Sequence, residues 1–203
     1  MKADIATMSL PDRLEHLFAV ISGERFLKKQ GLGNEVPFFI CPFKPQEAVG
    51  MEKLQRQLVN RLGQEGVGVL EVNLYDLSIE ILKERDIWDQ ILETEESVTK
   101  EQLKELLQGV LDPEAHLVPA IVAKMKNADF DVLFLSGVGA VFPYIRSHNV
   151  LNNLQSWAKE KPTVMFFPGE YRHSLESGAS LDLFGRLHDD KYYRAFNIFH
   201  CEA

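Results

Sequence analysis

Two glycines set two residues apart, Gly137 and Gly139, follow an apolar run over residues 130–136 and are well suited to bring backbone close to a ligand. Glycine has no Cβ, so it accepts positive φ and close approach at little steric cost. The dinucleotide pattern G-x-G-x-x-G is not completed, because position 142 is Phe. The pair therefore reads either as a ligand loop or as a tight structural turn. Beyond it come Arg146, Ser147, His148, Asn149, Asn152, Asn153 and Gln155. Side-chain amides gathered on one helix need partners. They form either a polar rim for a peptide backbone, a phosphate or a base edge, or a capped and solvated helix face. Arg172 and Arg194 and the aromatics Phe142, Tyr144, Tyr171, Phe184, Tyr192 and Tyr193 crowd the same part of the chain. Aromatic and arginine side chains together are the composition of binding hot spots, because each covers a large area with few rotamers to freeze.

Covalent and metal chemistry find less support. Ser136 and Ser147 lack the G-x-S-x-G setting of an activated serine. His148 and His173 read as surface or hydrogen-bonded histidines. Asp189 and Asp190 are adjacent, project differently and have no evident third ligand, so they read as a turn into the last strand. Cys41 and Cys201 make neither a disulfide framework nor a zinc spacing. The corner after the first strand, where a triphosphate enzyme places its phosphate loop, is C-P-F-K-P-Q over 41–46. A phosphate cradle needs successive backbone N–H groups, and two prolines remove two of them. No catalytic residue, metal ligand or cofactor is assigned. The candidate binding residues are Gly137, Gly139, Phe142, Tyr144, Arg146, Asn149, Asn153, Tyr171, Arg172, Tyr193 and Arg194.

The elements that would position them alternate. Leu14, Leu17, Phe18 and Ile21 at helical spacing predict a helix over 12–29, capped by Ser9 or Asp12. A buried strand over 36–41 follows, then a helix over 45–63 that stops at Gly63, and a second strand over 66–74. A charged helix is expected over 76–93. Thr99 and Gln102 form a capping box. Asp112-Pro113 opens another helix, which Pro119 should kink or shorten. The third strand is 130–136, and a helix capped by His148 or Asn149 should run to Trp157. The fourth strand, 163–167, is bounded by Pro162 and by Pro168-Gly169; the fifth covers 192–199. Continuous apolar strands alternating with helices predict one α/β domain over 1–203, with a mostly parallel sheet of about five strands flanked by helices. A helical side lobe is expected near 76–127. The whole resembles a P-loop nucleotide-triphosphatase core without its phosphate loop.

Composition narrows the function classes. The chain has 203 residues and a formal charge of −8. Residues 1–145 carry 15 Lys/Arg against 23 Asp/Glu, whereas 146–203 carry seven of each. Net acidity argues against duplex DNA binding by the chain alone, since few phosphates would be neutralised. No apolar run approaches the ~20 residues of a membrane span. The start of the chain lacks the unbroken apolar stretch of a signal peptide, so a cytoplasmic protein is expected.

Three stretches are distinctive together: FLSGVGAVFPYIRSHNVLNNLQ, PTVMFFPGEY and LFGRLHDDKYYRAFNI. They resemble the BrxB family of bacterial BREX phage-defence systems, and the resemblance runs from about residue 10 to 199. It rests on Gly137, Gly139, Phe142, Pro143, Arg146, Asn149, Asn153, Pro168, Gly169, Tyr171, Phe184, Gly185, Tyr193, Arg194 and Asn197. The resemblance implies membership of a gene island that also encodes a methyltransferase, a large ATPase, the phosphatase-like PglZ and a Lon-like protease. It carries no catalytic residues with it. The expected role is a non-enzymatic adaptor that binds other BREX subunits, PglZ first among them. The alternatives are a nucleotide- or nucleic-acid-binding module built on the loop after strand three, and an enzyme acting on a phosphate-containing ligand.

Overall fold

Residues 38–41, 132–135 and 164–167 are buried without interruption. A strand with no polar face must be covered on both sides. The computed structural model, which describes residues 8–31, 36–174, 178–184, 187–189 and 195–202, does so with three layers. The central sheet holds β1 (Phe38–Phe43), β2 (Val69–Asn73), β3 (Val132–Ser136), β4 (Thr163–Ser174) and β7 (Ala195–Asn197), all parallel, in the order β2-β3-β4-β1-β7. β5 (Gly178–Leu183) and β6 (Leu187–Asp189) continue from β4 as an antiparallel extension. β2 lies at an edge, and its Glu71 and Asn73 are exposed.

Alternation along each strand sorts the layers. Phe39, Cys41, Val132, Phe134, Val164 and Phe166 face α1 (Leu10–Ser22), α2 (Glu24–Leu27) and α3 (Ala48–Gln64). Phe38, Ile40, Leu133, Leu135, Met165 and Phe167 face the other side. There they meet α4 (Leu74–Glu84), α7 (Val118–Asn127), α8 (Val138–Val141) and α9 (Ser147–Leu154). The register Phe38–Thr163, Ile40–Met165 and Leu135–Met165 brings like faces together. α5 (Trp88–Glu95) and α6 (Lys100–Val110) form the outlying part of the helical region expected near 76–127.

The parallel sheet agrees with the sequence reading, and the boundaries depart from it for identifiable reasons. The first helix begins as expected at Ser9, whose Oγ accepts from the Asp12 N–H at 3.3 Å. It breaks at Gly23, where the backbone is extended. The single helix expected over 76–93 is two, because Asp86 takes φ +56° between them, a conformation that Asp tolerates better than most residues. Before Pro119, which has no N–H to give, Pro113–Leu117 widens into a π-helical turn capped by Asp112. Neither His148 nor Asn149 caps α9: the cap position is Arg146, and the helix ends at Leu154 rather than Trp157. Pro168-Gly169 does not end the fourth strand, which runs on to Ser174. Asp189 is the last residue of β6, and Asp190, the other half of the expected turn, lies outside the described residues. The fifth parallel strand is Ala195–Asn197, followed by a 3-10 turn; residues 192–194 of its expected span lie outside the described residues.

Thr163 opens β4 between Phe38 and Leu133 and is 1% exposed. Its hydroxyl has no hydrogen-bond partner among the described residues. An unsatisfied buried hydroxyl costs about 1–3 kcal/mol. Thr163→Val, which keeps the shape and removes the hydroxyl, should raise the melting temperature by about 2–4 °C. A calorimetric scan in which the variant melts at or below the wild type would refute this account.

Candidate functional site

In an open parallel sheet the strand-to-helix corners at the carboxyl edge are where a ligand is expected. Here the first corner is occupied by the protein's own groups, and the second and third pack against each other beside an open cleft. After β1, Pro45–Glu47 forms a 3-10 turn leading into α3. The Glu47 carboxylate takes both ends of the Arg13 guanidinium, at 2.7 and 3.3 Å, and the Lys44 N–H at 3.3 Å. Arg13 is itself buried in α1. A carboxylate thus takes up the Lys44 N–H at this corner. The Arg13 hydrogen bonds hold the Glu47 carboxyl below the ordinary carboxylate range, against its partial desolvation, with the Arg13 charge and the Lys44 N–H adding to the effect.

After β2, the Asn73 Oδ1 caps α4 by accepting from the N–H groups of Tyr75 and Asp76 at 2.9 and 3.4 Å. After β3, Gly137 turns with φ +74°. A Cβ there would sit 2.2 Å from the Asn73 Oδ1. Gly137 is therefore required for two corners to meet. Gly139 is tight as well: a Cβ would lie 3.0 Å from Pro168 Cγ and 3.2 Å from the Phe184 ring. Of the two readings of this glycine pair, the geometry supports close protein packing. An open cleft of about 670 Å³ lies beside these corners, lined by Arg56, Glu71, Asn73, Tyr75, Asp76 and Gly137 among others.

Side chains, not loop backbone, project at this edge. Phe142 and Phe184 meet edge-to-face with centroids 6.3 Å apart, and the Arg146 guanidinium lies 5.8 Å from the Phe142 centroid. The Phe142–Pro143 peptide is cis. Tyr144 is half-buried, its hydroxyl pKa pushed up by burial and by Tyr75. Phe184 holds φ +55°, stays 37% exposed, and donates its N–H to Pro168 O at 2.9 Å. A bulky residue in the left-handed region is strained. Glycine or asparagine would satisfy the backbone there more readily, so the aromatic ring is what the position gains.

Of the residues expected at a binding surface, Gly137, Gly139, Phe142, Tyr144 and Arg146 gather along this edge. Asn149 and Asn153 follow on α9, where the Asn153 amide donates to the Asn149 carbonyl at 2.8 Å. This bond uses one amide of the expected polar rim within the helix itself. Tyr171 is a correction: it is buried, its hydroxyl donates to Ala195 O at 2.6 Å, and burial pushes its pKa up to about 12. That ring ties β4 to β7 and offers no open surface. Arg172 is exposed on the hairpin and engaged with Glu170 at 2.8 Å. Tyr193 and Arg194 lie outside the described residues. Sequence reasoning passed over the Arg13–Glu47 pair, whose members are 34 residues apart, and Tyr75. The Asn73 cap had a visible signal, an Asn between a strand and a helix.

A three-layer α/β protein with five parallel strands and no helix long and apolar enough to cross a membrane among the described residues is thereby defined. A family model described as "BREX protein BrxB" matches residues 70–198. A BREX protein BrxB of Bacillus cereus (strain H3081.97) is 33% identical over 190 residues, covering 92% of this chain and 96% of its own. One of Escherichia coli O9:H4 (strain HS) is 30% identical over 186 residues, covering 92% and 90%. The chain belongs to the BrxB family, as the resemblance in its sequence implied, and membership makes it a component of a BREX system. No solved structure matches it significantly.

The Arg13–Glu47 pair gives acid stability a defined origin. The folded Glu47 carboxyl titrates below its reference value of 4.5. Its contribution is therefore complete above that pH and is lost as pH falls through the folded value. Glu47→Gln should cost about 1 kcal/mol at neutral pH, a charge-assisted bond discounted for partial exposure. The gap between variant and wild type should narrow below pH 4.5. Urea unfolding at a series of pH values measures it, and a gap that stays constant down to pH about 3 would contradict the assignment.

Proposed function

We propose that this chain is a non-enzymatic cytoplasmic adaptor of its BREX system, holding another BREX subunit, PglZ first among them, on the edge formed by Phe142, Tyr144, Arg146 and Phe184. The observation that carries the reading is Phe184, an aromatic kept half-exposed on a positive-φ backbone beside Phe142 and Arg146. Strain of about 1 kcal/mol or more is retained where the side chain has a use, and aromatic–arginine clusters suit protein recognition. A phosphate-ligand reading has less support, because Glu47 occupies the first corner and Asn73 abuts Gly137 at the third.

The test is binding of purified full-length chain to purified PglZ. Phe184→Asn, which the backbone accepts readily, and Arg146→Ala should each weaken the complex by about 2 kcal/mol or more without lowering the melting temperature. Undiminished binding by both variants would remove this edge from the interface. Failure of the wild-type chain to bind PglZ or any other BREX subunit would defeat the adaptor role.

A further inference from the structure

α5 and α6 add little to the core and much to the charge. α6 repeats Leu103, Leu106, Leu107 and Val110 at the spacing of an amphipathic stripe, yet none of its residues is buried. Leu103, Leu107 and Val110 reach the core only in part. Leu106 remains 37% exposed, and Leu92 on α5 remains 43% exposed. Around them, residues 84–105 carry eight Asp/Glu against three Lys/Arg, a net of −5 out of the −8 of the whole chain. Two of the three cations are engaged: Arg85 donates to Val110 O at 2.6 Å, and Lys104 pairs with Glu101 at 3.4 Å. Glu93, Glu95, Glu96 and Glu105 are exposed and have no cationic partner among the described residues.

We propose that this lobe is a docking surface for a protein segment in which apolar side chains are flanked by lysine or arginine. The leucines supply the area removed from water, and the carboxylates select the partner's sign. A second copy of this chain is the wrong occupant, because an isologous contact would set one −5 lobe against another. Nucleic acid is excluded by the same sign. A cationic amphipathic helix, laid along Leu92 and Leu106, meets both requirements. The inference rests on the adaptor reading and extends it: an adaptor needs a second face, and this one differs in chemistry from the edge that carries Arg146 and Phe184.

The experiment uses the full chain and each purified full-length BREX subunit of the same system, with dissociation constants measured at low and at high salt. Two variants are compared with the wild type: Leu92→Ser with Leu106→Ser, and Glu93→Lys with Glu96→Lys and Glu105→Lys. All five positions are exposed, so the melting temperature should hold for at least the charge-reversed chain. The expected result is one subunit whose binding weakens with salt and falls about tenfold or more in both variants. If every subunit binds the charge-reversed chain as tightly as the wild type, the inference is overturned, and the adaptor reading survives provided Phe184→Asn still weakens a complex. If no subunit binds the wild-type chain, both fall together. A wild-type dimer dissolved by the leucine replacements would also overturn the inference, since the lobe's occupant would then be a second copy.

Discussion

The architecture depends on one strand that belongs to two pairings at once. β4 runs for twelve residues from Thr163 to Ser174, roughly 40 Å at strand rise. Its first half lies between β3 and β1 in the parallel sheet, and its second half is the stem of the β5 hairpin. Pro168 sits where these halves join. A proline in a central strand would break a ladder, but pairing with β3 stops at Met165. Pro168 therefore lies where β3 requires no N–H from it, and its carbonyl still receives the Phe184 N–H. Gly169 completes the joint: a Cβ there would sit 2.2 Å from the Asp182 carbonyl oxygen. Because β4 does not stop, β5 is carried back to the sheet edge and delivers Phe184 against Gly139 and Phe142.

That continuity was hidden by the same residues that produce it. Pro168-Gly169 reads as punctuation in a single sequence, because both residues break regular structure in most settings. Whether a proline breaks a strand depends on where the neighbouring strand ends, which is long-range information. Pro42 follows the same logic at position five of β1, beyond Ile40, where pairing with β7 has ended. The parallel core was legible because burial on both faces leaves no polar residue in the strand, and that pattern is local. The Thr99–Gln102 capping box was legible for the same reason: its partners are three residues apart. The hairpin of β5 and β6 was passed over although Ala179-Ser180-Leu181-Asp182-Leu183 alternates apolar and polar residues; that signal is local but only five residues long.

The candidate site divides along the same line. The glycines were visible as glycines, but their use was not: Gly137 is explained by an Asn sixty-four positions earlier, and Gly139 by a proline and a phenylalanine from the hairpin. Tyr171 was visible as an aromatic near arginines, yet its depth depends on the carbonyl of Ala195. Composition found the kinds of residue, and packing decided which of them face outward. Phe142, Tyr144 and Arg146 remain at the surface because they follow a four-residue helix whose buried members, Val138 and Val141, hold the segment against the sheet.

On the adaptor reading proposed above, the packed corners and the exposed side chains support one another. Glu47 fills the first corner of the sheet, and Asn73 and Gly137 pack against each other at the second and third, beside the open cleft. Filling a corner with a side chain such as Glu47 fixes it whether or not a ligand is present, and a fixed frame lowers the ordering cost of association. What such a frame offers is surface: an aromatic–arginine edge and, on α5 and α6, an acidic face with exposed leucines. These two faces differ in the sign and kind of partner they suit. A chain with one sticky surface would have reason to self-associate; one with two unlike surfaces, of which the acidic one repels its own copy, favours unlike partners on each side. On the adaptor reading, the charge asymmetry along the sequence, in which the whole net excess lies before residue 146, would correspond to a division of labour between the α5–α6 lobe and the edge built by the last third of the chain.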